Sequence, residues 1–195
     1  MRRLYVILTS LLLPFFLSAQ TQDSQELLRK IAETSSAMTS FSADFKQVRE
    51  VALLDAPAVS TGQMQYRNDG RILWRYITPS AYQIAFTPTE VRINKGGESQ
   101  VMGLNDNPFF GQLRTLLLGI MSGEQLTGDG RFQISIAQTN PEIVVRMIPV
   151  QRQIKRMFSE MLISFSPENY VVSTVVMKET DGSSTTIIFS SVKVE

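Results

Sequence analysis

The 195-residue sequence contains neither cysteine nor histidine. Without cysteine there is no disulfide framework and no thiol nucleophile. Without histidine there is no Ser–His or Cys–His pair, and ordinary zinc sites lose their usual ligands. An excess of one charge is also missing, since 19 Lys and Arg face 18 Asp and Glu, for a net charge of +1. Such a chain has no basic surplus with which to displace counterions from a nucleic acid, so no nucleic-acid partner is expected. There is a single tryptophan. The only long apolar run is Leu4–Leu17, LYVILTSLLLPFFL.

That run is too short to span a bilayer as a helix, which takes roughly 20 apolar residues, and Pro14 interrupts it. Arg2 and Arg3 precede it, and Ser18, Ala19 and Gln20 follow. A basic start, an apolar middle and small residues after it form the layout of a secretory signal peptide. Residues 1–19 are therefore expected to be a cleaved leader, and residues 20–195 a single exported domain. The alternative is a buried N-terminal helix. Losing Arg2 and Arg3 takes the net charge from +1 to −1. No cysteine follows the leader, so the mature N-terminus offers no thiol for a lipid anchor.

Asp23 with Glu26 three residues on is spaced as a capping box. Leu27, Leu28, Ile31, Ala32, Ser35 and Met38 follow at helical spacing, and Glu26 with Lys30 forms an i,i+4 pair. These predict a helix over 24–39. From Phe41 onward the period changes to two: Phe41, Ala43 and Phe45; Met64 and Tyr66; Ile72, Trp74 and Tyr76; Ile84 and Phe86; Val91 and Ile93; Val101 and Met102. Asn68-Asp69-Gly70 and Asn94-Lys95-Gly96-Gly97 read as turns. The segment 108–123, PFFGQLRTLLLGIMSG, returns to helical spacing through Phe109, Leu113, Leu116, Leu117 and Ile120, with Gly123 as its stop. Alternation resumes from Phe132 to the C-terminus, with turns at Gly128-Asp129-Gly130 and Thr180-Asp181-Gly182-Ser183. Nine or ten short strands and two helices predict an α+β domain built on an antiparallel meander. Two helices are too few to pave such a sheet. Either the core is fully packed, or a strongly curved sheet with helices over its mouth encloses an apolar cavity.

The chemistry-bearing residues are sparse. Asp44, Glu50, Glu142 and Glu160 could supply an acid and a base for a hydrolase, but no spacing sets them apart from solvated strand faces. Ser183, Ser184, Ser190 and Ser191 have no histidine to activate them. The glycine pairs lack the strand-to-helix setting of a phosphate loop. No metal pattern is visible, and no cofactor is expected. Trp74, Phe109 and Phe110 read equally as core aromatics or as walls of a ligand cavity.

The sequence Phe41-Ser42-Ala43-Asp44-Phe45-Lys46-Gln47, following an amphipathic helix, resembles the opening strand of the LolA family of lipoprotein carriers. Gly62–Tyr66, Ile72–Tyr76 up to Pro79, Ile154–Phe158, Ile163–Phe165, Tyr170–Met177, Asp181-Gly182 and Thr186–Phe189 continue the likeness in order. The resemblance implies an unclosed antiparallel half-barrel with helices covering the concave face as a lid. It also implies a non-enzymatic periplasmic carrier that buries lipoprotein acyl chains on the way from the inner to the outer membrane. Its partners would be acylated lipoproteins or lipids, an inner-membrane ABC-type release complex and an outer-membrane acceptor, and it would act as a monomer. Phe45, Met64, Trp74, Phe86, Phe109, Leu113 and Leu117 are the expected cavity lining. Family carriers often latch the lid with a basic residue followed by proline on the turn before the tryptophan strand. Here that turn lacks proline, and Arg67 and Arg71 are the latch candidates. The alternative within this fold is a lipid-sensing or regulatory binding module with a protein partner.

Overall fold

The computed structural model describes residues 15–52, 54–127, 130–138 and 140–195. Alternating burial converts the period-two stretches into eleven strands: β1 (Ser40–Glu50), β2 (Ala58–Arg67), β3 (Arg71–Thr78), β4 (Tyr82–Phe86), β5 (Glu90–Lys95), β6 (Glu98–Gly103), β7 (Phe132–Gln138), β8 (Ile143–Pro149), β9 (Phe158–Phe165), β10 (Val172–Glu179) and β11 (Ser184–Val194). In β2, for example, Gly62, Met64 and Tyr66 are buried while Gln63, Gln65 and Arg67 are exposed. One face of each strand is thereby committed to the interior, which fixes register.

All eleven strands join one antiparallel sheet in the order β6-β5-β4-β3-β2-β1-β11-β10-β9-β8-β7. Two meanders, β1–β6 and β7–β11, meet where the first strand pairs with the last. The outer strands β6 and β7 do not pair with each other, so the sheet is an unclosed half-barrel. The count is eleven rather than nine or ten because the short stretches around Ile84, Val91 and Val101 each form a strand. The turn expected over 94–97 tightens to Gly96-Gly97 alone, at φ +59° and +88°, the positive-φ pair of a two-residue hairpin. Gly128 and Asp129 of the next expected turn lie outside the described residues.

Three helices accompany the sheet: α1 (Phe15–Ala37), α2 (Pro108–Met121) and α3 (Arg152–Lys155), with a 3-10 turn at Glu124–Thr127. The expected stripe on α1 faces the core, with Ile31, Ala32 and Ser35 buried, and Glu26 meets Lys30 at 3.8 Å. The helix begins at Phe15, not after Asp23, because Phe15–Asp23 contains neither proline nor glycine to stop it. Asp23 is therefore inside the helix rather than its cap. The leader residues 1–14 lie outside the described residues, and no described helix is long and apolar enough to cross a membrane. The four-residue α3 is too short to show a period, which is why the sequence reads only two helices.

Residues 108–121 connect the two edge halves of the sheet through α2. Asn107 caps it, its side chain accepting from the Phe110 N–H, and Pro108 occupies the first turn, where its missing N–H costs nothing. At the other end Ser122 N–H donates to Leu118 O at 2.7 Å, and Gly123 follows at φ +73°. A Cβ on Gly123 would lie 2.9 Å from both Cα and O of Ala32. This glycine thus both ends α2 and lets it press against α1.

A second glycine shapes the inner face. Gly62 pairs with Phe45 across β1 and β2, and a Cβ there would lie 2.7 Å from the Phe45 ring and 1.9 Å from Arg75 O. The missing side chain is the space the Phe45 ring occupies. Gly62→Ala should lower unfolding stability by about 1–3 kcal/mol, the usual cost of overpacking. Urea denaturation would measure it, and a neutral result would show that Phe45 does not depend on this gap.

Candidate site: an apolar cavity under a helical lid

The inner face at the centre of the sheet is aromatic. Phe45 contacts Trp74 at 4.9 Å and Tyr76 edge-on at 5.2 Å between ring centroids. Phe189 on β11 contacts Trp74 at 6.3 Å and Phe41 at 5.5 Å. Tyr76 stacks on Tyr82 at 4.2 Å. Register explains the grouping, since Phe45 faces Phe189 across β1 and β11 and Met64 faces Trp74 across β2 and β3.

Above this face lies α2, with Leu116, Ile120 and Met121 buried. Between them is a cavity of about 30 Å³, walled by Met64, Trp74, Leu116, Leu117, Ile120 and neighbouring apolar side chains of β10 and β11. On the other side of α2, toward α3, is a recess of about 440 Å³. It is lined by Leu113, Leu116, Ile154, Met157 and Phe158, with Arg131 among its polar residues. Leu116 lines both spaces, so one side chain of the helix is the partition between them. Gln112 Nε2 donates to Gln153 Oε1 at 3.4 Å, tying α2 to α3.

Of the expected lining, Met64, Trp74 and Leu117 border the inner cavity. Phe45 is buried against Trp74. Phe86 is buried further along the sheet, where it meets Phe110 at 6.3 Å. Leu113 is half-buried and faces the outer recess. Phe109 is 53% exposed. Residues 109 and 110 fit the 113-117-120 stripe equally by spacing, and the helix turns Phe110 inward. Sequence reasoning missed Phe189, Met177, Ile187, Leu116 and Ile120 as wall residues. Phe189 and Ile187 alternate on β11, and Leu116 and Ile120 belong to the α2 stripe, so the signal was their period.

Arg67 and Arg71 both turn toward Asp69 within their own loop, at 3.7 and 3.6 Å. The contact between this turn and the lid comes from the opposite side. Arg114, the one charged residue of α2, donates from Nη2 to Gly70 O at 3.1 Å. Burial lowers the Arg114 pKa, and its buried Nε has no hydrogen-bond partner among the described residues. Gly70 has φ +86°, and a Cβ there would come within 2.7 Å of Arg114 Nη2, so the glycine admits the guanidinium.

The four carboxylates considered for catalysis are scattered. Asp44 accepts from Gln63, Glu50 from Ser184, and Glu142 from Ser173. Glu160 bridges Lys178 and Arg146, which hold its carboxyl below the usual carboxylate range. None of the four lines the cavity.

Burial raises the Tyr76 hydroxyl above the ordinary 10.0, although it donates to Gln47 Oε1 at 2.9 Å, and burial also raises Tyr66. Unfolded tyrosine ionises near 10 while these two resist, so their contribution is complete below pH 10 and is lost as pH rises past it. Denaturant midpoints should fall above pH 10, and Tyr76→Phe should flatten that fall. An unchanged alkaline slope in the variant would exclude Tyr76 as its source.

The architecture is thus an unclosed half-barrel with a small apolar cavity beneath a helix. Residues 36–195 match the family model described as outer membrane lipoprotein carrier protein LolA, and the chain belongs to that family. A search of curated proteins finds no match. Among solved structures, an uncharacterised conserved protein from Thermus thermophilus is 9% identical, with TM-score 0.53 over 91% of this chain and 88% of that one. The Mycobacterium tuberculosis lipoprotein LppX is 9% identical, with TM-score 0.50 over 85% of this chain and 92% of that one. MucB is 15% identical, with TM-score 0.50 over 88% of this chain and 58% of that one.

Proposed function

We propose that this protein is a periplasmic carrier that takes up the acyl chains of lipoproteins and ferries them from the inner to the outer membrane, after export on a leader ending near Ala19. The observation that carries this reading is the pair of spaces on either side of α2, an inner apolar cavity and an outer recess, with Leu116 between them. The 30 Å³ cavity is about one water's share of volume, so cargo requires α2 to move. Leu116 borders both spaces, and its displacement would join the inner cavity to the 440 Å³ recess. Burying acyl chains releases about 0.8 kcal/mol per methylene. Family membership supports the lipoprotein as cargo. An inner-membrane release complex and an outer-membrane acceptor follow from that reading as donor and recipient.

The direct test is to purify the mature protein and measure binding of a diacylated lipopeptide. Trp74→Asp or Leu116→Asp should weaken binding at least tenfold, since either puts a charge into an apolar wall. Folded variants that bind normally would sink the cavity assignment.

Arg114 sets the lid equilibrium on this reading. Its bond to Gly70 O favours the closed helix, and a charged hydrogen bond is worth about 1.5–3 kcal/mol before the desolvation of its buried Nε is subtracted. Arg114→Met keeps the volume and removes the bond. The variant should bind lipopeptide several-fold more tightly, because a larger fraction of the free protein is open. Equal dissociation constants for variant and wild type would remove Arg114 from the lid mechanism.

A further inference from the structure

The convex face of the sheet is charged in a way that the chain as a whole is not. Residues 58–95, which form β2 to β5, carry five basic side chains and two acidic ones, in a sequence whose net charge is +1. Alternation decides where they stand. Ile72 and Trp74 are buried on the inner face, so Arg71 and Arg75 belong to the outer one, and both are exposed. Arg67 lies opposite Arg71. Arg92, next to buried Val91, is exposed on the same outer face. Arg75 faces Gln63 on one side and Gln83 on the other, and Gln83 faces Asn94. Arg75 and Arg92 are two strands and two residues apart in this register, roughly 12 Å by ordinary strand spacing.

The acids leave this charge largely uncancelled. Asp69 serves both Arg67 and Arg71, and Glu90 meets Arg92 at 3.4 Å. Such exposed pairs hold their partners weakly. Arg75 has no carboxylate partner among the described residues. The exposed apolar side chains Val59, Ile77 and Val101 lie at the margins of the face. Its middle is arginine and amide, with Leu73 half-buried between Arg71 and Arg75. An interface with a folded protein has the reverse order, a core depleted of charge inside a polar rim. Arginines interleaved with amide donors match phosphate groups instead, which a guanidinium binds through two parallel hydrogen bonds.

We infer that the convex face of β2–β5 docks on an anionic phospholipid surface, with Arg75 and Arg92 as its central contacts. The apolar cavity and α2 lie on the other face of the sheet, so docking leaves the helix free and does not depend on the carrier reading.

The test is sedimentation of mature protein with vesicles of phosphatidylcholine alone or with about 30% phosphatidylglycerol, a strongly anionic surface. The wild type should bind the anionic vesicles at least tenfold more tightly, and about 0.5 M NaCl should abolish the difference. Both vesicles offer the same acyl chains, so uptake into the cavity would not separate them. Each basic residue near such a surface is worth about fivefold, so Arg75→Gln with Arg92→Gln should lose at least tenfold. Removing two charges elsewhere, by Arg152→Gln with Lys155→Gln on α3, should change binding less than twofold. Equal binding to the two vesicles, a Arg75/Arg92 double variant that binds like wild type, or an equal loss in the α3 variant would each overturn the inference. If neither vesicle binds while poly-glutamate does, and only with Arg75 and Arg92 present, the face belongs to an acidic protein and the inference is overturned. Lipopeptide binding by the same proteins reports separately on the carrier reading, which stands or falls without this result.

Discussion

Everything in this molecule follows from an apolar inner sheet face that the chain does not close over. Eleven strands in one antiparallel sheet leave β6 and β7 apart, so the inner face must be covered by something other than sheet. The residues between those two edge strands are the ones that form α2. That placement sets α2 over the centre of the sheet, with α1, whose Ile31 and Ala32 join the same core, pressed against it at Gly123. A closed barrel would bury the same side chains permanently. An open one makes their burial depend on the position of a helix.

The helix is held to the sheet in two chemically different ways. Leu116, Ile120 and Met121 bury apolar surface, which is non-directional and tolerates sliding. The Arg114–Gly70 bond is directional and has one geometry. Its strength is reduced by the burial of the guanidinium, which leaves Nε unpaired. A bond of this kind is weaker than its charge suggests, and on the proposed reading that weakness would allow a reversible lid. The same turn carries Arg67 and Arg71, yet both are about two-thirds exposed and engaged with Asp69. Exposed pairs of that sort contribute little.

The sheet was legible in the sequence because alternation is a local property. Phe41, Ala43 and Phe45, or Met161, Ile163 and Phe165, announce a buried face without knowledge of any partner. The α2 stripe was legible for the same reason, down to Gly123 as its stop. What was hidden is whatever depends on how distant elements meet. Spacing does not separate Phe109 from Phe110, because only the rotation of α2 against Phe86 decides which ring is buried. The turn's own arginines were the expected contacts to the helix, whereas the hydrogen bond between turn and helix is donated by Arg114, 44 residues away.

On the proposed carrier reading, these constraints also bear on how cargo would be let go. A chain of about sixteen methylenes, fully buried at about 0.8 kcal/mol each, would release roughly 13 kcal/mol, close to nanomolar affinity from a single chain. Such a protein would hold its cargo too tightly to hand it on. The collapsed cavity opposes this, because admitting a chain means separating Leu116 and Ile120 from Met64, Trp74 and Phe189, contacts the protein regains when the chain leaves. The latch adds a further cost to the open state that is likewise returned on closing. Net affinity is then the difference between chain burial and wall separation, two terms of the same physical kind and opposite sign. An acceptor with an apolar surface that needs no such separation can draw the cargo out without any chemical step, as suits a sequence with neither histidine nor cysteine to perform one.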